Sequence, residues 1–312
     1  MYETLKISRD ARDVQYVAMN RPAKRNALSA QMIADLTDMA KTIPEGTRAV
    51  VLSGEGAVFC AGGDLEWMQQ QINADRSTRM AEARKLAMMR YCEFNKVEGG
   101  KITETAMFFD IPQVMMQAGL QPFPVQTGAQ LVQPGPVTHT GLCFNDQDPV
   151  EGEKTLAAIN FMIGDIRDWK DRKPEGLEIE LPRSWHDNMI WWGPAGIGAS
   201  YTIEGYIRGH SGPFRDGLGD MSFNGHLCRL AEGEFGGFFG WPNLTLLPTG
   251  GFMGMPATGK HSDMRVIDIY RREGDKLAEN WIFIDMLYWL MQQGDDVLAR
   301  MAGIAGTQYR AP

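Results

Sequence analysis

Cysteine is scarce in this sequence, and the four that occur, Cys60, Cys92, Cys143 and Cys228, lie far apart with no Cys-x-x-Cys pair among them. That spacing suggests neither a zinc knuckle nor a disulfide framework, and the four are expected as free thiols. Positive charge is in deficit too. Against 39 Asp and Glu stand 31 Lys and Arg, for a net charge of −8, which opposes a phosphate backbone or an anionic membrane surface because such partners need a positive footprint. Long hydrophobic runs are missing. The most apolar stretch, "WIFIDMLYWLM", is broken by Asp285 and too short to span a bilayer, while "MYETLKISRDARD" at the start carries charges where a secretory signal needs an apolar core. Nucleic acid and membrane are therefore not expected partners, and the expected location is cytoplasmic.

What is present is ample for a packed protein. At 312 residues, 44% of them hydrophobic and 22% charged, the chain can form two domains with a substantial core. "KITETAMFFDIPQVMMQAG" (101–119) returns without a gap as "KLAENWIFIDMLYWLMQQG" (276–294), sharing Lys101/Lys276, Glu104/Glu279, Phe108/Phe283, Asp110/Asp285, Met116/Met291, Gln117/Gln292 and Gly119/Gly294. This is an internal repeat. The second copy has a long run-up of its own sequence, and the first has little room for one.

The opening reads as two strands, at 3–9 and 14–20, and a helix over 29–43 with Ser29 as N-cap. "RAVVLSG" follows as a buried strand, then the glycine loop "EGAVFCAGGD" and a helix over 76–90. Near residue 90 helical spacing gives way to alternation in "RYCEFNKV", which marks a seam. Residues 91–120 then read as strand, turn, strand and short helix, and 121–150, rich in Pro, Gly and Gln, as a linker or long crossing loop. From 151 to 305 the chain reads as one unit. A helix over 152–169 carries Leu156, Ile159, Ile163 and Ile166 on one face, and the strands "SFNGHLCRLA", "GEFGGFFGWPNLTL", "DMRVIDIYRR" and "KLAENWIFI" follow. Helices first and an antiparallel meander afterwards indicate an α+β fold, with helices on one face of a curved sheet and a pocket between them.

Two resemblances meet at the seam. Residues 1–89, through "NRPAKRNALS" and "GEGAVFCAGGDLEWM", resemble the amino-terminal part of the crotonase (enoyl-CoA hydratase/isomerase) family. The resemblance implies an oxyanion-stabilising N–H at Gly63 and places Lys24 or Arg25 near coenzyme A phosphates. The family's second oxyanion loop and its acid/base glutamates have no counterpart after Met89, so crotonase activity and coenzyme A thioester binding are not expected. Residues 91–305, through "IWWGPAGIGASYTIEGY", "FNGHLCRLAEG", "MPATGK" and "IDIYRREGDKLAENWIFID", resemble tandem SnoaL-like polyketide cyclase proteins of the nuclear-transport-factor-2-like superfamily. Only the closing strands and helix of the first cone are present, so a crotonase-like βα fragment stands where its front should be, and the chain has the form of a chimera.

That second resemblance implies an acidic group near the end of the cone as general acid/base for a cofactor-independent cyclase, isomerase or lyase on an apolar substrate, which nominates Asp285. The same residue is well placed to cap the helix that follows it. Asp268, flanked by Ile267 and Ile269, would be costly facing inward unless paired. His226 is a third catalytic candidate, or a satisfied strand histidine. Trp191, Tyr206, Phe239, Trp281 and Asn280 are candidate substrate contacts, with core packing as the alternative use of the aromatics. On the last strand Glu279, Trp281, Phe283 and Asp285 share one face and Asn280, Ile282 and Ile284 the other, and alternation alone does not say which lines the cone. His186, His210 and His261 make no metal-ligand spacing, and "GPAGIGAS" lacks the third glycine of a dinucleotide loop. No metal or cofactor is expected. The partners left open are a small apolar molecule and a second copy of the chain, and a non-catalytic ligand-binding or interaction module is the alternative to an enzyme.

Overall fold

A hairpin of β1 (Leu5–Arg9) and β2 (Val14–Met19) opens the chain. After α1 (Ala30–Lys41), β3 (Ala49–Gly54) joins β2 in parallel, and α2 (Leu65–Asn73) follows the glycine loop. In the computed structural model residues 2–75, 77–78, 82, 88–129, 134–167 and 176–308 are described, and they divide into two units, Met1–Ala87 and Met88–Pro312. Most of the helix expected over 76–90 lies outside the described residues.

In the first unit strict alternation on β2 turns Val17 and Met19 inward onto Met32 and Met39 of α1. Ser29 caps that helix, its Oγ accepting the Met32 N–H at 3.2 Å. The expectation of a buried "RAVVLSG" strand is not met. Val50, Val51 and Leu52 are 39%, 42% and 45% exposed. Their run of apolar residues suits a strand covered on both faces, whereas among the described residues β3 is an edge strand paired only with β2.

The second unit begins with β4 (Tyr91–Glu98), β5 (Lys101–Phe109) and α3 (Ile111–Gln117). A helical layer follows: α4 (Pro149–Arg167), α5 (Leu177–Ser184), then after β6 (Trp185–Trp192) and β7 (Ala199–Tyr201), α6 (Thr202–Tyr206), a π-helical turn Ile207–Ser211 and α7 (Gly212–Gly217). The strands β8 (Leu218–Phe223), β9 (Cys228–Glu232), β10 (Phe235–Phe239), β11 (Leu244–Pro248), β12 (Ser262–Met264), β13 (Val266–Glu273) and β14 (Lys276–Ile284) lead to α8 (Met286–Gln293) and α9 (Val297–Gln308). Both larger sheets are open: β7-β6-β14-β13-β10-β9 and β12-β11-β8. The class is α+β, as the helix-then-meander order implied. Two expected strands are each broken in two. "SFNGHLCRLA" turns at Gly225, and "GEFGGFFGWPNLTL" turns at the cis Trp241–Pro242 bond, so each run donates one strand to each sheet. No helix among the described residues is long and apolar enough to cross a membrane.

The internal repeat is reproduced strand for strand. β4–β5 and β13–β14 pair antiparallel with a register shift at the same place, Lys96/Val97 in one copy and Arg271/Arg272 in the other. Gly99 and Gly274 turn the two hairpins at φ of 56° and 59°, a region that glycine enters without a Cβ penalty. The first hairpin packs Phe94 and Phe108 against Ile267 and Phe283, on one face of the six-stranded sheet. The helical layer covers the other face, where Ile159, Met162 and Ile163 of α4 meet Trp185, Phe238 and Tyr270.

Within 121–150 the described residues are tied to the rest of this unit. Phe123 is in the main core, Thr127 Oγ1 donates to Gly209 O at 2.6 Å, and Trp281 Nε1 donates to Pro134 O at 3.1 Å. The Val137 N–H meets the Glu279 carboxylate at 3.2 Å, over the buried Arg271–Glu279 pair.

Candidate functional site

The pleat decides which side chains can meet a ligand. Asn280, Ile282 and Ile284 of β14, Val266, Asp268 and Tyr270 of β13 and Phe238 of β10 face the helical layer, and between them lies a cavity of about 150 Å³. The two alternatives left open for the last strand are thereby resolved in favour of the asparagine face. Trp185 and Trp191 of β6 wall one side. Leu177 and Leu181 of α5, the π-turn residues His210 and Ser211, and Phe214 close the rest.

Three acidic residues line this cavity, Asp165, Glu180 and Asp268, and Asp268 is the one on the sheet, 5% exposed. Asn280 Nδ2 donates to its Oδ1 at 2.9 Å and also to Ile269 O at 3.1 Å, which fixes the amide. The nearby Tyr270 hydroxyl also favours the charged carboxylate, but burial disfavours that form more strongly, so the carboxyl is pushed up to about 7. Burial also raises the Tyr206 and Tyr270 phenols, which stay neutral donors.

His226 stacks on Phe238 with ring centroids 3.8 Å apart, and its Nδ1 accepts from Arg229 Nε at 2.9 Å. A neutral ring that accepts at Nδ1 carries its proton on Nε2. Burial and the Arg229 charge push this histidine down to about 4. His210 stacks on Trp191 at 4.0 Å and is pushed to about 3 by burial. Glu180 and Arg215 also line the cavity and form a bidentate pair at 3.1 and 2.5 Å, both side chains 5% exposed. The lining therefore offers the raised Asp268 carboxyl, two neutral imidazoles, the Glu180–Arg215 ion pair and the Asp165 carboxyl, which faces Arg183 at 3.1 Å. That combination suits proton exchange with an uncharged, largely apolar molecule.

Of the residues nominated from sequence, Asp268, His226, Trp191, Tyr206 and Asn280 come together here. Three others of the second unit do not. Asp285 lies outside the cavity and caps α8, its Oδ1 accepting the Tyr288 N–H at 3.1 Å and Oδ2 facing Arg265 at 3.4 Å. Trp281 and Phe239 point to the opposite face, where Phe239 packs on Phe94 at 4.9 Å. Strand parity is the cause, since each is one residue out of phase with the cavity face. Tyr270, two residues from Asp268, carried a readable signal that the sequence reading passed over. His210, Asn243 and the Glu180–Arg215 pair come from separate elements, and only tertiary folding unites them.

Gly63 belongs to the first unit. Its loop is held by Leu28 N–H to Gly62 O at 2.8 Å and Asp64 N–H to Leu28 O at 2.9 Å. Asp64 caps α2 and pairs with Arg21 at 2.9 Å.

Comparison with known proteins gives each unit a family likeness. Residues 9–97 match the enoyl-CoA hydratase/isomerase family model, running a few residues past the seam, and residues 244–294 match SnoaL-like polyketide cyclase. The probable enoyl-CoA hydratase echA6 of Mycobacterium tuberculosis is 38% identical over 76 residues, 24% of this chain and 30% of that protein. The mitochondrial Delta(3,5)-Delta(2,4)-dienoyl-CoA isomerase of Homo sapiens is 34% identical over 103 residues, 31% of each chain. The chain thus spans about a third of the length of these curated relatives. A SnoaL-like polyketide cyclase structure from Jannaschia sp. CCS1 is 15% identical, covers 47% of this chain and 96% of its own, and has a TM-score of 0.40.

Proposed function

We propose that, in a chain joining a crotonase-family segment to a SnoaL-like domain, the working site is the SnoaL-like cavity, which binds a small, mostly apolar molecule and moves a proton on it through Asp268 without a cofactor. The observation that carries this reading is the Asp268 carboxyl, buried in a ligand-sized cavity, held by Asn280 and pushed up to about 7. A group poised near the working pH is present in both protonation states, as an acid/base catalyst must be. The resemblance favours a cyclase, isomerase or lyase. The crotonase-like segment offers Gly63 as the oxyanion donor the resemblance implies, and the sequence after Met89 has no counterpart of that family's acid/base glutamates, which argues against a hydratase.

The test is exchange of solvent deuterium into the α-position of 2-tetralone, a ketone with an acidic C–H, followed by NMR at pH 7. Acceleration over buffer that disappears in Asp268→Asn supports proton transfer. Binding of the ketone without any acceleration supports the non-catalytic module instead.

A further inference from the structure

Asn243 sits at the turn between β10 and β11 with only 2% of its surface exposed, and it lines the cavity. Its Oδ1 accepts the Val266 N–H at 2.7 Å. Because a backbone N–H can only donate, the amide cannot be flipped, and its NH2 group must point the other way. That Nδ2 is buried and has no hydrogen-bond partner among the described residues. The side chain is also wedged against Gly240, where an added Cβ would come within 2.6 Å of it. A fixed, buried donor without a partner is costly, and a ligand acceptor relieves that cost.

Three further lining atoms lack a hydrogen-bond partner among the described residues, His210 Nδ1 and Ser211 Oγ on the π-turn and the acceptor Asp165 Oδ2. The charges around the cavity are settled. Arg215 is committed to Glu180, Arg183 faces Asp165 at 3.1 Å, and both imidazoles are neutral, so a ligand carboxylate would meet Asp268 with no spare cation. Val266, which Asn243 holds, is two residues from Asp268 on the same strand face. The Asn243 amide thus lies at the next same-face level of β13.

We propose that Asn243 is a specificity-determining residue of this cavity, its Nδ2 donating to the carbonyl oxygen of an uncharged ligand beside Asp268. The inference rests on reading this cavity as the working site. It does not require that Asp268 be catalytic.

The experiment is isothermal titration calorimetry of the full chain with three probes of similar shape, acetophenone, ethylbenzene and benzoate. Acetophenone is expected to bind about fivefold to tenfold tighter than ethylbenzene, the worth of one hydrogen bond to a buried donor, and at least as much tighter than benzoate. Asn243→Asp keeps an acceptor for the Val266 N–H and removes the donor, so the acetophenone-to-ethylbenzene ratio should fall to about one. In the wild-type protein the Asn243 side-chain NH2 resonances should shift with acetophenone and hold with ethylbenzene, a readout that needs no variant. Asp268→Asn should keep the preference, so absence of deuterium exchange in the wild-type chain would reject the proton-transfer reading and leave the anchor standing. Equal binding of acetophenone and ethylbenzene, equal binding of benzoate, a preference that survives Asn243→Asp, or no binding of any probe would overturn the assignment.

Discussion

Asp110 and Asp285 hold the same place in the two copies of the repeat and make the same three contacts. Each caps the helix that follows, accepting Gln113 N–H at 3.1 Å and Tyr288 N–H at 3.1 Å respectively. Each pairs with the arginine that precedes its hairpin, Arg90 at 2.8 Å and Arg265 at 3.4 Å. The backbone N–H of each also returns to that arginine's carbonyl, at 3.1 and 3.0 Å. The difference is burial. Arg90 and Asp110 have side chains 7% and 4% exposed, against 22% and 29% for Arg265 and Asp285.

For the capping role this predicts that Asp285→Asn leaves stability nearly unchanged and Asp285→Ala costs about 1 kcal/mol. Asp110→Ala should cost more, roughly 3–5 kcal/mol, because it strands Arg90 in the core without its counter-charge. Urea melts of the three variants check the order. A larger loss at Asp285 than at Asp110 would contradict it.

Stability should depend on pH through Asp268. Its folded-state value of about 7 lies above the ordinary 3.8, so between those values the folded protein keeps a proton that the unfolded chain has lost. That contribution is full below about pH 4, declines as pH rises to 7 and is then gone. Asp268→Asn removes the titration, so its stability relative to wild type should be higher at pH 8 than at pH 4 by about 2–4 kcal/mol. A difference that does not change with pH would show that the carboxyl is not desolvated.

Truncation should favour a cut at residue 88 over one at 150. Residues 88–312 keep Phe94 and Phe108 on the sheet face that contains Ile267, Phe283 and Phe239, together with the segment that covers Glu279. A chain starting at 150 uncovers all of them. Differential scanning calorimetry should show a cooperative transition for 88–312 and a lower melting temperature, or aggregation, for 150–312. Equal melting of the two would mean that the first hairpin contributes nothing.

Hydration of crotonyl-CoA should not rise above the solution background, since the sequence after Met89 shows no counterpart of the crotonase family's second oxyanion loop and acid/base glutamates. Turnover that is lost when the loop at Gly63 is altered would contradict this.

Much of the fold was legible because periodicity and repeats are local. Alternation placed β4–β5 and β13–β14, the gap-free repeat showed the second pair to be a copy of the first, and Ser29 announced α1. "RAVVLSG" misled because composition reports the cover a strand is built for, and β3 has an open edge instead. The site was legible only in part. A carboxyl between two isoleucines is conspicuous on a strand, whereas Asp285 attracted attention by family likeness although its geometry is that of a cap. Parity put Trp281 and Phe239 on the wrong face, and no local pattern distinguishes the two faces of a strand that is apolar on both. Asn243 gave no signal at all, because what marks it is a backbone N–H from a different strand.

The most direct measurement compares deuterium exchange into 2-tetralone for the wild-type chain, Asp268→Asn and Asp285→Asn, with ketone binding measured alongside. The account predicts that Asp268→Asn slows exchange by about a hundredfold or more while still binding the ketone, and that Asp285→Asn matches wild type in both. Exchange that persists in Asp268→Asn, or that is lost in a folded Asp285→Asn, would contradict it.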